Sequence, residues 1–151
     1  MWPEAREQTA LGLGLLRRLT EMHRPLVARC RCREPEGFEL SALAAMLHSF
    51  YTGVENVLKR IVLEVDGVCP SGRAWHRELL DLAAAPTAAR PAVLSADTRE
   101  MLAPYLQFRH VFRQAYTFDL EWRRMSDLVL GCEAVLGRLE ADLDDLFRDR
   151  G

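Results

Sequence analysis

The chain has 151 residues, 49% of them hydrophobic and 28% charged, with a formal net charge of -2. That is enough for one good hydrophobic core and too short for two. The near-neutral balance excludes a protein that coats nucleic acid by bulk charge, so any RNA contact has to come from a local cluster. Four cysteines (Cys30, Cys32, Cys69, Cys132) without a disulfide-framework spacing fit a reducing compartment. Cys30-x-Cys32 is tighter than a usual zinc pair and has no second ligand pair at a recognised separation, so neither a metal nor a cofactor is expected. The apolar run from Ala10 to Leu16 follows acidic residues and falls far short of a membrane span. The expectation is a cytoplasmic protein with no membrane partner.

In chain order, Leu11, Leu15, Leu19, Met22 and Leu26 recur every three or four positions and predict a first amphipathic helix, with Pro25 kinking or ending it. Leu40, Leu43, Leu47, Phe50, Val54, Val57, Ile61 and Val65 carry the same rhythm over about seven turns and predict the central helix. The turn formers from Asp66 to Gly72 break the period. Ser71 is the expected N-cap of a short helix carrying Trp75, Leu79, Leu80 and Leu82. After a Pro/Ala loop from Pro86 to Leu94, Ser95 is placed to cap a fourth helix. Pro104 falls inside that helix, which moves the start of its regular run toward Tyr105. Asp119 is the expected cap of a last helix with Met125, Val129, Cys132, Leu136, Leu139, Leu143 and Leu146 on one face. With no β-period and with breaks that fold the chain back on itself, the expected fold is an all-α, antiparallel bundle of about five helices, a single domain over residues 1–151. Adjacent apolar pairs on the last helix, Leu128/Val129 and Val135/Leu136, point to a second contact surface.

Chemistry concentrates in residues 108–116, where Arg109, His110, Arg113 and Tyr116 stand in an otherwise Leu/Ala-rich chain. A guanidinium offers phosphate a rigid fork of donors, an imidazole moves protons near neutral pH, and a phenol is both a hydrogen-bonding group and a nucleophile. Arg109, Arg113 and Tyr116, at i, i+4 and i+7, fall on one helical stripe. The plainer account is a solvated basic face beside a packed tyrosine. Glu55 can orient Arg109 or Arg113 across the bundle, or pair with Lys59, four residues on along its own helix. His48 and Tyr51 are expected in satisfied packing contacts, Trp75 as a core anchor and His76 at the surface.

Residues 47–57 (LHSFYTGVENV), Pro70-Ser71-Gly72 with residues 75–80 (WHRELL), residues 90–95 (RPAVLS) and residues 108–113 (FRHVFR) with Tyr116 together resemble the HepT-like branch of the HEPN superfamily over about residues 38–147. The resemblance implies an all-α HEPN fold, a homodimer, and a metal-independent ribonuclease acting as the toxin of a toxin–antitoxin pair with a MntA-type nucleotidyltransferase antitoxin. The family signature R-x-x-x-x-H-x-Y maps onto Arg109, Gln114 and Tyr116, with glutamine where the family has histidine. By resemblance Arg109 binds the scissile RNA phosphate, and Tyr116 completes the site and accepts AMP from the antitoxin; the guanidinium of Arg113 is expected to add phosphate binding in the same basic cleft. A glutamine cannot take and return a proton, so Gln114 is left to orient the ribose 2′-hydroxyl, and His110 is the nearby imidazole able to act in its place. At about 100° per residue, Arg109 and Gln114 stand roughly 140° apart on a regular helix, so a shared site calls for an irregular helix end or a second subunit. The alternative is a non-catalytic helical partner of a nucleotidyltransferase.

Overall fold

A computed structural model describes residues 2–113, 116 and 119–148. They form five helices: α1 (Pro3–Cys30), α2 (Gly37–Asp66), α3 (Trp75–Ala83), α4 (Ala96–Phe112) and α5 (Trp122–Arg148). The described residues include no strand, only an isolated antiparallel bridge between Thr87 and Arg90 in the loop after α3. The expected all-α bundle of five helices is the observed one.

α2 packs on each of the other four helices. Its apolar stripe explains why: Leu43, Leu47, Phe50, Val54, Val57 and Ile61 are all buried, together with Met46, Tyr51, Leu58 and Val62 beside them. A helix apolar over so much of its circumference has to be surrounded. α1 crosses α2 closely at two glycines. A Cβ on Gly12 would lie 2.6 Å from Val57, and one on Gly53 would lie 2.6 Å from Leu16, so each helix leaves a gap that the other fills. Gly67, at φ 82°, ends α2 in a left-handed cap whose N–H bonds back to the carbonyls of Val62 and Leu63. Arg17 reaches Glu140, and Arg24 Nε lies 2.8 Å from Glu133, pinning α1 to α5.

Four local expectations are corrected. α1 continues through Pro25 to Cys30, and α4 runs unbroken from Ala96 through Pro104 to Phe112, so neither proline sets a boundary. Both helices are held along their length by neighbours, and tertiary packing offsets one lost backbone bond. Ser71 does not cap α3, whose N-cap is Ala74 with no side-chain bond. Asp119 lies before α5, which begins at Trp122. Ser95 does cap α4, its hydroxyl accepting from the Thr98 N–H at 3.2 Å.

The apolar stripe of α1 is displaced as well. Leu11, Leu15 and Met22 are exposed, and the buried face runs through Ala5, Thr9, Leu16 and Thr20. On α5 the predicted stripe is buried from Met125 to Leu146, but Val135 is buried too and Leu128 packs on the same core, so the adjacent apolar pairs serve the bundle's own interior. No helix among the described residues is long and apolar enough to cross a membrane.

Candidate functional site

Three helices bring four polar side chains together beside the core. Glu55 comes from the middle of α2, where its neighbours Val54 and Val57 face inward, and it is carried to only 2% exposure. His76 stands in the first turn of α3, held by stacking on Trp75 with ring centroids 3.7 Å apart. Lys59 lies 4.8 Å over the Trp75 ring rather than on Glu55, so the expected pair along α2 is replaced by a cation–π contact. Arg109 comes from the last turn of α4.

The Glu55 carboxylate serves two partners. Oε2 lies 2.6 Å from His76 Nδ1, and Oε1 lies 3.6 Å from Arg109 Nη1. Arg109 Nη1 is 3.2 Å from His76 Nδ1 and 3.4 Å from its Nε2, while Arg109 Nε donates to Thr52 Oγ1 at 3.3 Å. A carboxylate only accepts, so the short contact places an imidazole hydrogen on Nδ1; the lone pair of the neutral form then falls on Nε2, where Arg109 Nη1 lies at 3.4 Å. Among the described residues Arg109 Nη2 makes no hydrogen bond, so the guanidinium keeps donor capacity for a ligand.

The group opens onto a cavity of about 470 Å³ between α3 and α4, lined by Arg73, Arg77, Arg99, Arg109 and Arg113 with His76 and His110, and by no acidic residue among those described. Asp81, at 2.6 Å, holds Arg99 at the rim. In a concave site with a low-dielectric wall this excess of guanidinium focuses positive potential and selects anions, phosphate above all. A different wall of Arg109's surroundings holds His48, whose ring lies 5.5 Å from Phe112. Burial first, then Arg109 and Arg113, hold His48 below its ordinary value of 6.5. Its Nδ1, like the hydroxyl of fully buried Tyr51, has no hydrogen-bond partner among the described residues, which corrects the expectation of satisfied contacts for both. Burial also raises the Tyr51 phenol well above its usual range.

Of the residues singled out in the sequence, Arg109, His110 and Arg113 all line this one cavity. Tyr116 is 71% exposed and lies beyond the end of α4, where Arg113 is already the C-cap, so it does not continue the Arg109 stripe. Gln114 lies outside the described residues. The residue that sequence reasoning missed is His76, taken there as a surface side chain. Its only sequence signal was position: an imidazole on a short helix after a turn, next to an aromatic anchor. The pairing of Glu55 with Arg109 across the bundle was the correct one of the alternatives. The four cysteines are all reduced, and burial pushes the Cys132 thiol up to about 12.

A five-helix bundle with a guanidinium-lined cleft at the end of its fourth helix defines an all-α protein with a concave site of positive potential. Residues 42–150 match the family of HepT-like proteins, and the chain belongs to that family, within the HEPN superfamily. No curated protein and no solved structure matches the chain.

Proposed function

We propose that this HepT-like, toxin-type protein binds RNA in the cavity between α3 and α4 and cleaves it without a metal ion, under the control of a nucleotidyltransferase antitoxin. The observation that carries the reading is the set of five arginines around one cavity, with Arg109 braced by a buried carboxylate and still offering an unused donor edge. Arg109 and Arg113 hold the scissile phosphate, and the guanidinium of Arg109 stabilises the charge that builds on the phosphorane. His110, exposed at the cavity wall, is assigned to orient the ribose, a part that Gln114 holds by the motif alone. The deciding experiment is incubation of purified protein with total RNA in EDTA beside the Arg109→Ala variant. Fragmentation by the wild type alone supports the reading, and equal fragmentation by both defeats it.

Homodimerisation belongs to the same reading. The apolar side chains left exposed on α1 (Leu11, Leu15, Met22), with Val111 on α4, supply surface for a second copy, in place of the α5 positions that the bundle itself buries. Sedimentation at micromolar concentration tests it. Control by the antitoxin falls to Tyr116, whose exposure leaves its ring accessible to an AMP-transferring partner. An attached AMP adds negative charge and bulk three residues along the chain from Arg113. Co-expression with a MntA-type nucleotidyltransferase should add one or more AMP masses to the wild type and none to Tyr116→Phe. A non-catalytic partner of the nucleotidyltransferase would bind it equally well and leave RNA intact.

A further inference from the structure

We propose that His76 is the general base of this cleft, oriented by Glu55 as its positioning residue, and so takes the part that glutamine at the motif position cannot play. The inference rests on the cavity being an RNA phosphate site. Three observations carry it. The Glu55 carboxylate, 3% exposed, sits 2.6 Å from Nδ1 and fixes the tautomer that leaves Nε2 with its lone pair. The ring is 21% exposed and lines the cavity, and among the described residues Nε2 meets only the guanidinium of Arg109, the group that would turn to a phosphate. Arg109 Nη1 lies within 3.4 Å of both ring nitrogens, which puts base and phosphate anchor one contact apart, as a 2′-hydroxyl and its adjacent phosphate are in RNA.

The Arg109 contact to the imidazole is a poor one. Nδ1 already directs its hydrogen at Glu55, so the Nη1 hydrogen cannot align well with a lone pair while it stays near both nitrogens. An incoming phosphate draws the guanidinium away and releases Nε2. In the reaction the 2′-hydroxyl proton passes to Nε2 as the 2′-oxygen bonds to phosphorus. The bond from phosphorus to the 5′-oxygen breaks, and that oxygen takes a proton from water. The imidazolium then returns its proton to solvent, leaving a 2′,3′-cyclic phosphate and a 5′-hydroxyl end. His110 lines the same cavity, but among the described residues no carboxylate orients its ring.

The test separates binding from chemistry with one probe, a short fluorescein-labelled single-stranded RNA, and its 2′-deoxy counterpart. Anisotropy reads binding, which Arg109→Ala should weaken. Failure of the wild type to bind either strand overturns the phosphate-site reading and this inference with it. Cleavage is read by electrophoresis and cyclic-phosphate ends. In His76→Gln the loss should fall on cleavage, about 100-fold or more, and far less on affinity. The rise of rate with pH that an imidazole base imposes should vanish. His76→Gly should regain cleavage on addition of free imidazole, a result that a merely structural histidine would not give. Glu55→Gln should lower the rate less than His76→Gln and alter the pH profile. Wild-type cleavage rates in His76→Gln, absence of imidazole rescue, or a wild type that binds RNA without cutting it would each overturn the role of His76, the last two leaving the phosphate site intact.

Discussion

Two carboxylate–arginine groups are built on α2, one at its C-terminus and one in its middle, and they use the same chemistry to different ends. At its C-terminus Asp66 holds Arg90, with side chains 8% and 0% exposed. Arg90 Nε and Nη2 bond the two Asp66 oxygens at 3.0 and 2.8 Å, and the rest of the guanidinium bonds the carbonyls of Ala85, Pro91 and Leu82. Every donor is used, which locks the loop between α3 and α4 and leaves nothing for a ligand. Mid-helix, Glu55 faces an Arg109 whose contacts are longer, whose Nη2 is unbonded among the described residues, and which borders a cavity. A saturated guanidinium is a clasp. An unsaturated one beside an open volume can bind, and the fold keeps it in place with a carboxylate that is itself shared with a histidine.

The sharpest way to break this comparison is Arg90→Ala, which strands Asp66 without its partner. A loss of about 3–5 kcal/mol is expected for a broken buried pair, read as a fall in Tm of about 10 °C or more. Arg109→Ala should instead be mainly a functional lesion. Affinity for RNA is expected to fall about 10- to 100-fold for the loss of a charge-assisted contact, with a smaller fall in Tm than in Arg90→Ala because His76 stays on Glu55. Equal destabilisation by the two variants would erase the distinction between clasp and site.

Two pH effects follow, and they are smaller. The folded protein disfavours protonated His48, through burial and the nearby Arg109 and Arg113, while the unfolded chain takes up that proton at the ordinary value of 6.5. The unfolded state therefore binds more protons as the pH falls below 6.5, and stability is lost in that direction. His48→Leu should flatten the pH dependence of denaturant unfolding between about pH 7.5 and 5. Glu39 is the opposite case. Hydrogen bonds from the Arg33 side chain and then the Glu36 backbone N–H hold its carboxyl down from 4.5 to about 2. Its contribution is present above pH 4.5 and lost as the pH falls toward 2, so Glu39→Gln should lower stability at neutral pH and weaken its acid dependence over that window. Since this link is solvent-facing, its effect should be the smallest of the four.

The helices of this protein were legible because the three-and-four spacing of apolar residues is a local signal, and on α2 and α5 it names the buried face almost residue by residue. On α1 the same signal led to Leu11, Leu15 and Met22, which are exposed, because the face that docks is chosen by close approach at Gly12 and Gly53, and small residues carry no hydrophobic signal. Pro25 and Pro104 read as breaks, since sequence shows a missing donor and not the neighbours that hold the helix around it.

The site divides along the same line. Sequence by itself determined the family, the all-α bundle, and the basic segment of Arg109, His110 and Arg113, since each is written in contiguous or evenly spaced residues. Only the tertiary structure decided that Glu55, His76 and Arg109, separated by 21 and 33 positions along the chain, share one cluster. It also decided that Arg90 is a saturated clasp and Arg109 is not. Which donors of a guanidinium remain unused depends on carbonyls and carboxylates brought by distant segments, and only packing around α2 sets those distances.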